Sequence, residues 1–191
     1  MPNLSEEERN KLKSGIQDEV VALSEIHPFL CIEVGTGAGK SWMLIRSIDK
    51  DKSGKKWLIC VPEIAQIENF RGEITKFGYE HLYLDKIEDI ICYASLKNYR
   101  NKAFNIALNE VQNLSDERFN IVQTMKYKRI IADSATIPYD IKYKLDQLGE
   151  FYTYSLPLKE GIELGLLPKP KIYLIEVDID SITEKFEYTK F

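Results

Sequence analysis

The chain has 191 residues, 44% of them hydrophobic and 29% charged, with a formal net charge of −4. That length supports one well-cored domain rather than two, and the composition is that of an ordinary globular protein. The charge excludes a broad basic footprint for nucleic acid, so any such contact must come from local groups, and no apolar run approaches the ~18–20 residues of a membrane span. Met1 to Arg9 is polar and acidic, unlike a targeting peptide. Cys31, Cys60 and Cys92 each sit in a short apolar run, without a CxxC pair, and read as buried reduced thiols of a cytoplasmic protein.

Helical and strand-like segments alternate almost throughout. Ser5 with Glu8 three residues on is a capping box, opening a helix whose apolar positions are Leu12, Ile16, Val20 and Leu23. A buried strand is predicted at residues 29–34, then a glycine loop and a helix over 40–48. A strand at 57–61 precedes a helix started by Pro62 and ended by Gly78, with Ile64, Ile67, Phe70, Ile74 and Phe77 on one face. Short strands are predicted at 81–84, 90–93 and 104–108. A helix bearing Phe119, Val122 and Met125 follows, then a strand at 129–133 and a helix from Pro138 to Gly149. Further strands are predicted at 151–154 and 171–177. Such alternation means an α/β domain, a mainly parallel sheet with helices on both faces. It is assigned to residues 1–177, and residues 178–191 to a polar tail or the start of a linker.

The segment Gly35-Thr36-Gly37-Ala38-Gly39-Lys40-Ser41 lies between an apolar strand and a helix. In that setting glycines turn backbone N–H groups inward around phosphate oxygens, and the helix N-terminus behind them adds positive potential. Lys40 is expected to reach the β- and γ-phosphates, and the Ser41 hydroxyl to ligate Mg2+. The general pattern wants glycine where this chain has Val34. The expected ligand is a nucleoside triphosphate, most simply ATP.

From Thr36 to Ser41 the loop resembles motif I of superfamily 2 helicases and DNA translocases, whose first domain is RecA-like. Further matches follow in order over nearly the whole chain. Gln17, one helix upstream, stands like the glutamine that reads adenine in that family. Leu58-Ile59-Cys60-Val61-Pro62 resembles motif Ia, and Tyr93-Ala94-Ser95-Leu96 is similar to the segment that follows it in restriction-enzyme motor subunits. Ser134-Ala135-Thr136 matches motif III, which couples the nucleotide site to the strand-binding surface.

Motif II departs from the family. Residues 106–112 (Ile-Ala-Leu-Asn-Glu-Val-Gln) stand where an apolar strand is followed by Asp-Glu-x-His or a variant. The resemblance makes Glu110 the residue that polarises the attacking water and puts Asn109 in place of the aspartate that holds Mg2+. Gln112 replaces histidine, keeping a donor and an acceptor. Asp133, just before motif III, has two readings. It compensates for Asn109 near the metal, or it is a local polar substitution on the opposite strand face.

The resemblance also implies a second RecA-like domain, which supplies an arginine finger worth roughly 10³–10⁵ in rate. Nothing after Ile172 resembles motifs IV to VI, and the last arginine is Arg129. The expected function is therefore an ATP-binding motor domain acting on nucleic acid, DNA before RNA, with little hydrolysis alone. The alternative is a degenerate nucleotide-binding module that regulates or scaffolds a partner. An unrelated P-loop kinase or GTPase fits less well, because no guanine-reading Asn-Lys-x-Asp is present. His27 and His81 are isolated. Tyr93 and Tyr99 are candidates to flank a strand-binding surface, and Lys97, Arg100 and Lys102 form either a solvated loop or a phosphate contact.

Overall fold

A computed structural model describes residues 4–167. The strand expected at 171–177 and the tail at 178–191 lie outside the described residues. The capping box forms as read: Ser5 N–H donates to Glu8 Oε2 at 2.8 Å, and the Glu8 N–H donates to Ser5 Oγ at 3.2 Å. It starts helix α1 (Glu6–Ile26), which leads into strand β1 (Phe29–Val34), the glycine loop and helix α2 (Lys40–Lys50). Strand β2 (Trp57–Val61) is followed by helix α3 (Ile64–Lys76), which ends at Gly78 with φ +76°.

Residues 81–84 are not a strand. They fall in the short helix α4 (Leu82–Asp85). A strand would put Leu82 and Leu84 on one face, yet Leu82 is fully buried and Leu84 is 79% exposed, a separation that only a helical turn allows. Strand β3 (Ile87–Cys92) then begins earlier than expected and hands over to a 3-10 helix at Tyr93–Tyr99.

Strand β4 (Asn105–Leu108), helix α5 (Asp116–Thr124), strand β5 (Ile130–Ser134), helix α6 (Tyr139–Asp146), strand β6 (Tyr152–Leu156) and helix α7 (Leu158–Glu163) complete the described chain. The six strands form one parallel sheet in the order β3-β2-β4-β5-β1-β6. Strand β5, which ends at Ser134, therefore lies between the loop-bearing β1 and β4, which leads into Asn109 and Glu110.

Side-chain alternation builds two cores. Leu30, Ile32, Ile59, Ala107 and Ile131 pack under α1, α2 and α3. Cys31, Leu58, Ile106, Ile130 and Ala132 face α5 and α6. Both faces being covered, β2 and β4 are buried along their whole length, as a central parallel strand requires. The three cysteines are free and buried. No described helix is long and apolar enough to cross a membrane.

Candidate nucleotide site

The site gathers at the carboxyl edge of the sheet. Between Val34 and Lys40 the chain turns through Gly37 (φ +93°) and Gly39 (φ +92°), conformations that side chains with a Cβ rarely adopt. Gly39 is constrained twice, because a Cβ there would also collide with the Gln17 amide. The Val34 departure is accommodated simply. Its side chain is fully buried in the core, and only its carbonyl faces the loop, where it accepts from Lys40 Nζ at 3.4 Å.

Lys40 is 8% exposed, a burial that a lysine reaches only with partners. Its ammonium lies 3.6 Å from Glu110 Oε1. A cleft of about 370 Å3 opens here. Thr36, Gly37, Gly39, Lys40 and Ser41 form one side and Asn109 with Glu110 the floor; Gln66, Asn69 and Glu73 of α3 line the opposite wall. These α3 residues were missed in the sequence. Their spacing of three and four marks one helix stripe, but the apolar stripe beside it drew the reading.

Asn109 is fixed from three directions. Its N–H donates to the Cys60 carbonyl of β2 at 2.9 Å. Its carbonyl accepts from the Tyr93 hydroxyl at 3.1 Å. Its side-chain Nδ2 donates to both oxygens of Asp133, at 3.0 and 3.2 Å. Tyr93 is thus 1% exposed and braces the motif II strand end; it does not flank a surface. Burial pushes its phenol well up, so it remains a donor.

Asp133 does not lie on the opposite strand face. It has the parity of Ile131, which belongs to the core beneath α2, and it is fully buried. That burial pushes its carboxyl up to about 7, with the Asn109 amide and then Lys40 acting against the rise and Glu110 adding to it. Glu110 itself has φ +51°, a left-handed geometry that costs a non-glycine residue ~1–3 kcal/mol and concentrates at functional sites.

Gln112 uses both ends of its amide. Nε2 donates to Glu110 Oε2 at 3.0 Å, and Oε1 accepts from the Ser134 hydroxyl at 2.6 Å. Ser134 also accepts from the Thr136 N–H at 3.2 Å. The segments that resemble motifs II and III are therefore physically joined, although Ala135 and Thr136 enter only through this turn. Gln17 lies on the far side of the loop, its Nε2 donating to the Ala38 carbonyl at 2.9 Å. One amide hydrogen and Oε1 remain for a base.

Tyr99 is half-buried and donates to Asp89 Oδ2 at 2.6 Å. Lys102 rests on its ring at 4.6 Å, and the Lys102 carbonyl accepts from Lys126. Lys97, Arg100 and Lys102 are all exposed on the segment between β3 and β4. His27 stacks on Tyr152 and His81 meets Asp49.

No cluster of three or more acidic, histidine or cysteine side chains that could hold a metal occurs among the described residues. A phosphate-loop Mg2+ does not need one, because it keeps several waters and takes phosphate oxygens plus one or two protein ligands. The Ser41 hydroxyl, the Glu110 carboxylate and the Asn109 amide oxygen around one cleft fit that role.

No protein-family profile and no curated protein matches the chain. Among solved structures, the UvsW helicase of bacteriophage T4 superposes with a TM-score of 0.56 at 11% identity, over 80% of this chain and 69% of that one. At that identity the likeness is one of fold, a parallel α/β domain of the RecA-like kind. The helicase-type fold recurs in the Sulfolobus solfataricus SWI2/SNF2 ATPase core in complex with dsDNA (TM-score 0.52, 20% identity, 70% of this chain). It recurs again in a DEAD box protein of Methanococcus jannaschii (0.53, 17%, 80%). This chain covers 33% and 54% of those two chains.

Proposed function

We propose that this chain binds ATP·Mg2+ as the motor domain of a superfamily 2 helicase or translocase. It would work on a nucleic-acid backbone with a second RecA-like domain. The observation that carries this is the convergence of Lys40, Ser41, Asn109 and Glu110 on one cleft at the end of β1 and β4. Lys40 would exchange Glu110 for the phosphates, the loop N–H groups would hold the phosphate oxygens, and Gln17 would read adenine from across the loop. Bound Mg2+ would neutralise charge on the phosphates. Glu110 would then orient a water, and the Gln112–Ser134 bond would pass the state of the site to the turn at Ala135 and Thr136. The dsDNA in one structural neighbour supports DNA before RNA, and competition between the two duplexes tests it.

Tight binding of a fluorescent ATP analogue, abolished by Lys40→Ala, is the expected result. No binding by the unaltered chain at low salt with Mg2+ would sink the proposal. A second reading, a nucleotide-binding module that scaffolds a partner, is favoured by one observation: a neutral amide stands where the metal-holding carboxylate is expected. Slow ATP turnover that a second RecA-like domain and nucleic acid do not accelerate would select it.

A further inference from the structure

On β4 and β5 the last paired residues are Leu108 and Ala132. Asn109 and Asp133 are the next residue on each strand, side by side on the α2 face. In its ionised form Asp133 can only accept, so the Asn109 amide then presents its nitrogen to it. The two bonds at 3.0 and 3.2 Å satisfy both carboxylate oxygens with one NH2 group. The Asn109 Oδ1 is thereby turned the other way. It makes no hydrogen bond among the described residues, and Asn109 lines the phosphate cleft.

We infer that the acidic charge of the motif II position has moved one strand across, to Asp133, which acts as a positioning residue for Asn109. Asp133 holds the amide so that Oδ1 faces the phosphate cleft and polarises it from beneath. A hydrogen-bonded amide whose N–H is given to a carboxylate carries more negative charge on its oxygen. Asn109 and Asp133 together do the work of one aspartate, as an outer acceptor for metal-bound water. This rests on the ATP·Mg2+ reading above and says which of the chain's own residues carry the metal dependence.

The arrangement has a consequence that a simple loss of the aspartate would not have. Asn109→Asp alone does not restore the site. It sets two carboxylates against each other where the structure has a donor facing an acceptor, so a hydrogen bond is lost and repulsion is added. Asp133→Asn alone keeps the shape but removes the charge. Only the exchange of both, Asn109→Asp with Asp133→Asn, again gives one acid and one amide in contact.

The test is the affinity of the full chain for a fluorescent ATP analogue, with Mg2+ and with EDTA, in these four forms. In the unaltered chain Mg2+ tightens binding. Each single substitution is expected to reduce that tightening about tenfold, the difference between a charge-assisted and a neutral hydrogen bond. The exchange is expected to recover most of it, while affinity in EDTA changes little. A merely structural Asp133 would move both affinities alike. The inference is overturned if Asp133→Asn leaves the metal dependence within twofold, or if Asn109→Asp equals or exceeds the double exchange. Should Asp133→Asn fail to fold, the comparison of Asn109→Asp with the exchange decides in the same way. An unaltered chain that binds nucleotide without metal dependence overturns this inference and leaves nucleotide binding standing. A chain that binds none overturns both.

Discussion

The two ends of the sheet are built on opposite terms. At the amino edge, Asp51, Trp57, Asn105 and Arg129 form a closed knot. Asp51 pairs with Arg129 at 3.1 Å and accepts from the Trp57 indole at 2.9 Å. Asn105, fully buried, donates to Asp51 and Ser53 and accepts from the N–H groups of Lys128 and Arg129. Arg129 also donates to the Ser24 carbonyl, tying the end of α1 to the sheet. At the carboxyl edge, by contrast, glycines run left-handed, Glu110 is strained, and the Asn109 amide oxygen is left open. One edge pairs its polar side chains into a fold-bearing knot, and the other sets paired polar groups around an open cleft.

The largest effect should come from cutting the knot. Asp51→Ala leaves Arg129 without its counter-charge in a site where Asp51 is 2% and Arg129 14% exposed. Urea denaturation should show a loss of about 3–5 kcal/mol. Nucleotide affinity, measured well below the midpoint, should not change. A stability loss under about 1 kcal/mol would show that the knot is ornamental. Asn105→Ala should cost about 2 kcal/mol by the same assay, because it breaks the buried bond to Asp51 and strands the part-buried N–H groups of Lys128 and Arg129.

The opposite sign is expected at the carboxyl edge. Glu110→Gly relieves the left-handed backbone and should stabilise the fold by about 1 kcal/mol, while ATP turnover falls. A destabilised variant would mean that the Lys40–Glu110 pair outweighs the strain. The smallest effect sharpens the contrast from within that edge. Glu33 is burdened by burial, but the Ile137 N–H at 2.9 Å and Lys142 at 3.1 Å outweigh this and hold its carboxyl below the usual range. A carboxyl more acidic in the folded than in the unfolded state stabilises above the unfolded value, and that help is lost as pH falls through the folded one. Glu33→Gln should therefore flatten the acid limb below about pH 4.5 by ~1 kcal/mol, seen in melting temperature against pH.

How far the sequence carried this differs by edge as well. Strands β1 and β2 were legible to the residue, because a strand covered on both faces is a continuous apolar run. The loop was legible because Gly37 and Gly39 must turn left-handed. The capping box was legible because both partners sit within three residues. What failed was whatever depends on a partner far along the chain. Leu82 and Leu84 read as a strand until the core took only one of them. Tyr93 read as a surface aromatic until the Asn109 carbonyl claimed its hydroxyl. The side of Asp133 was readable in principle from the alternation of Ile131 and Asp133, but its contact with Asn109 required knowing that β4 and β5 are neighbours. Helix α7 carried no periodic signal in its six residues.

The Lys40–Glu110 pair makes the site an interlock. One ammonium would have two claimants, the Glu110 carboxylate and the phosphates of a bound nucleotide, and it could not serve both fully. If the cleft takes a triphosphate as proposed, its arrival and the release of Glu110 would be a single event, so Glu110 would be freed only once a phosphate had taken its place. The same exclusivity subtracts from apparent affinity, since the ligand must first displace a partner already in place. Glu110→Gln should therefore tighten nucleotide binding measured in EDTA, where no metal needs the carboxylate, the mark of a guard rather than a handle.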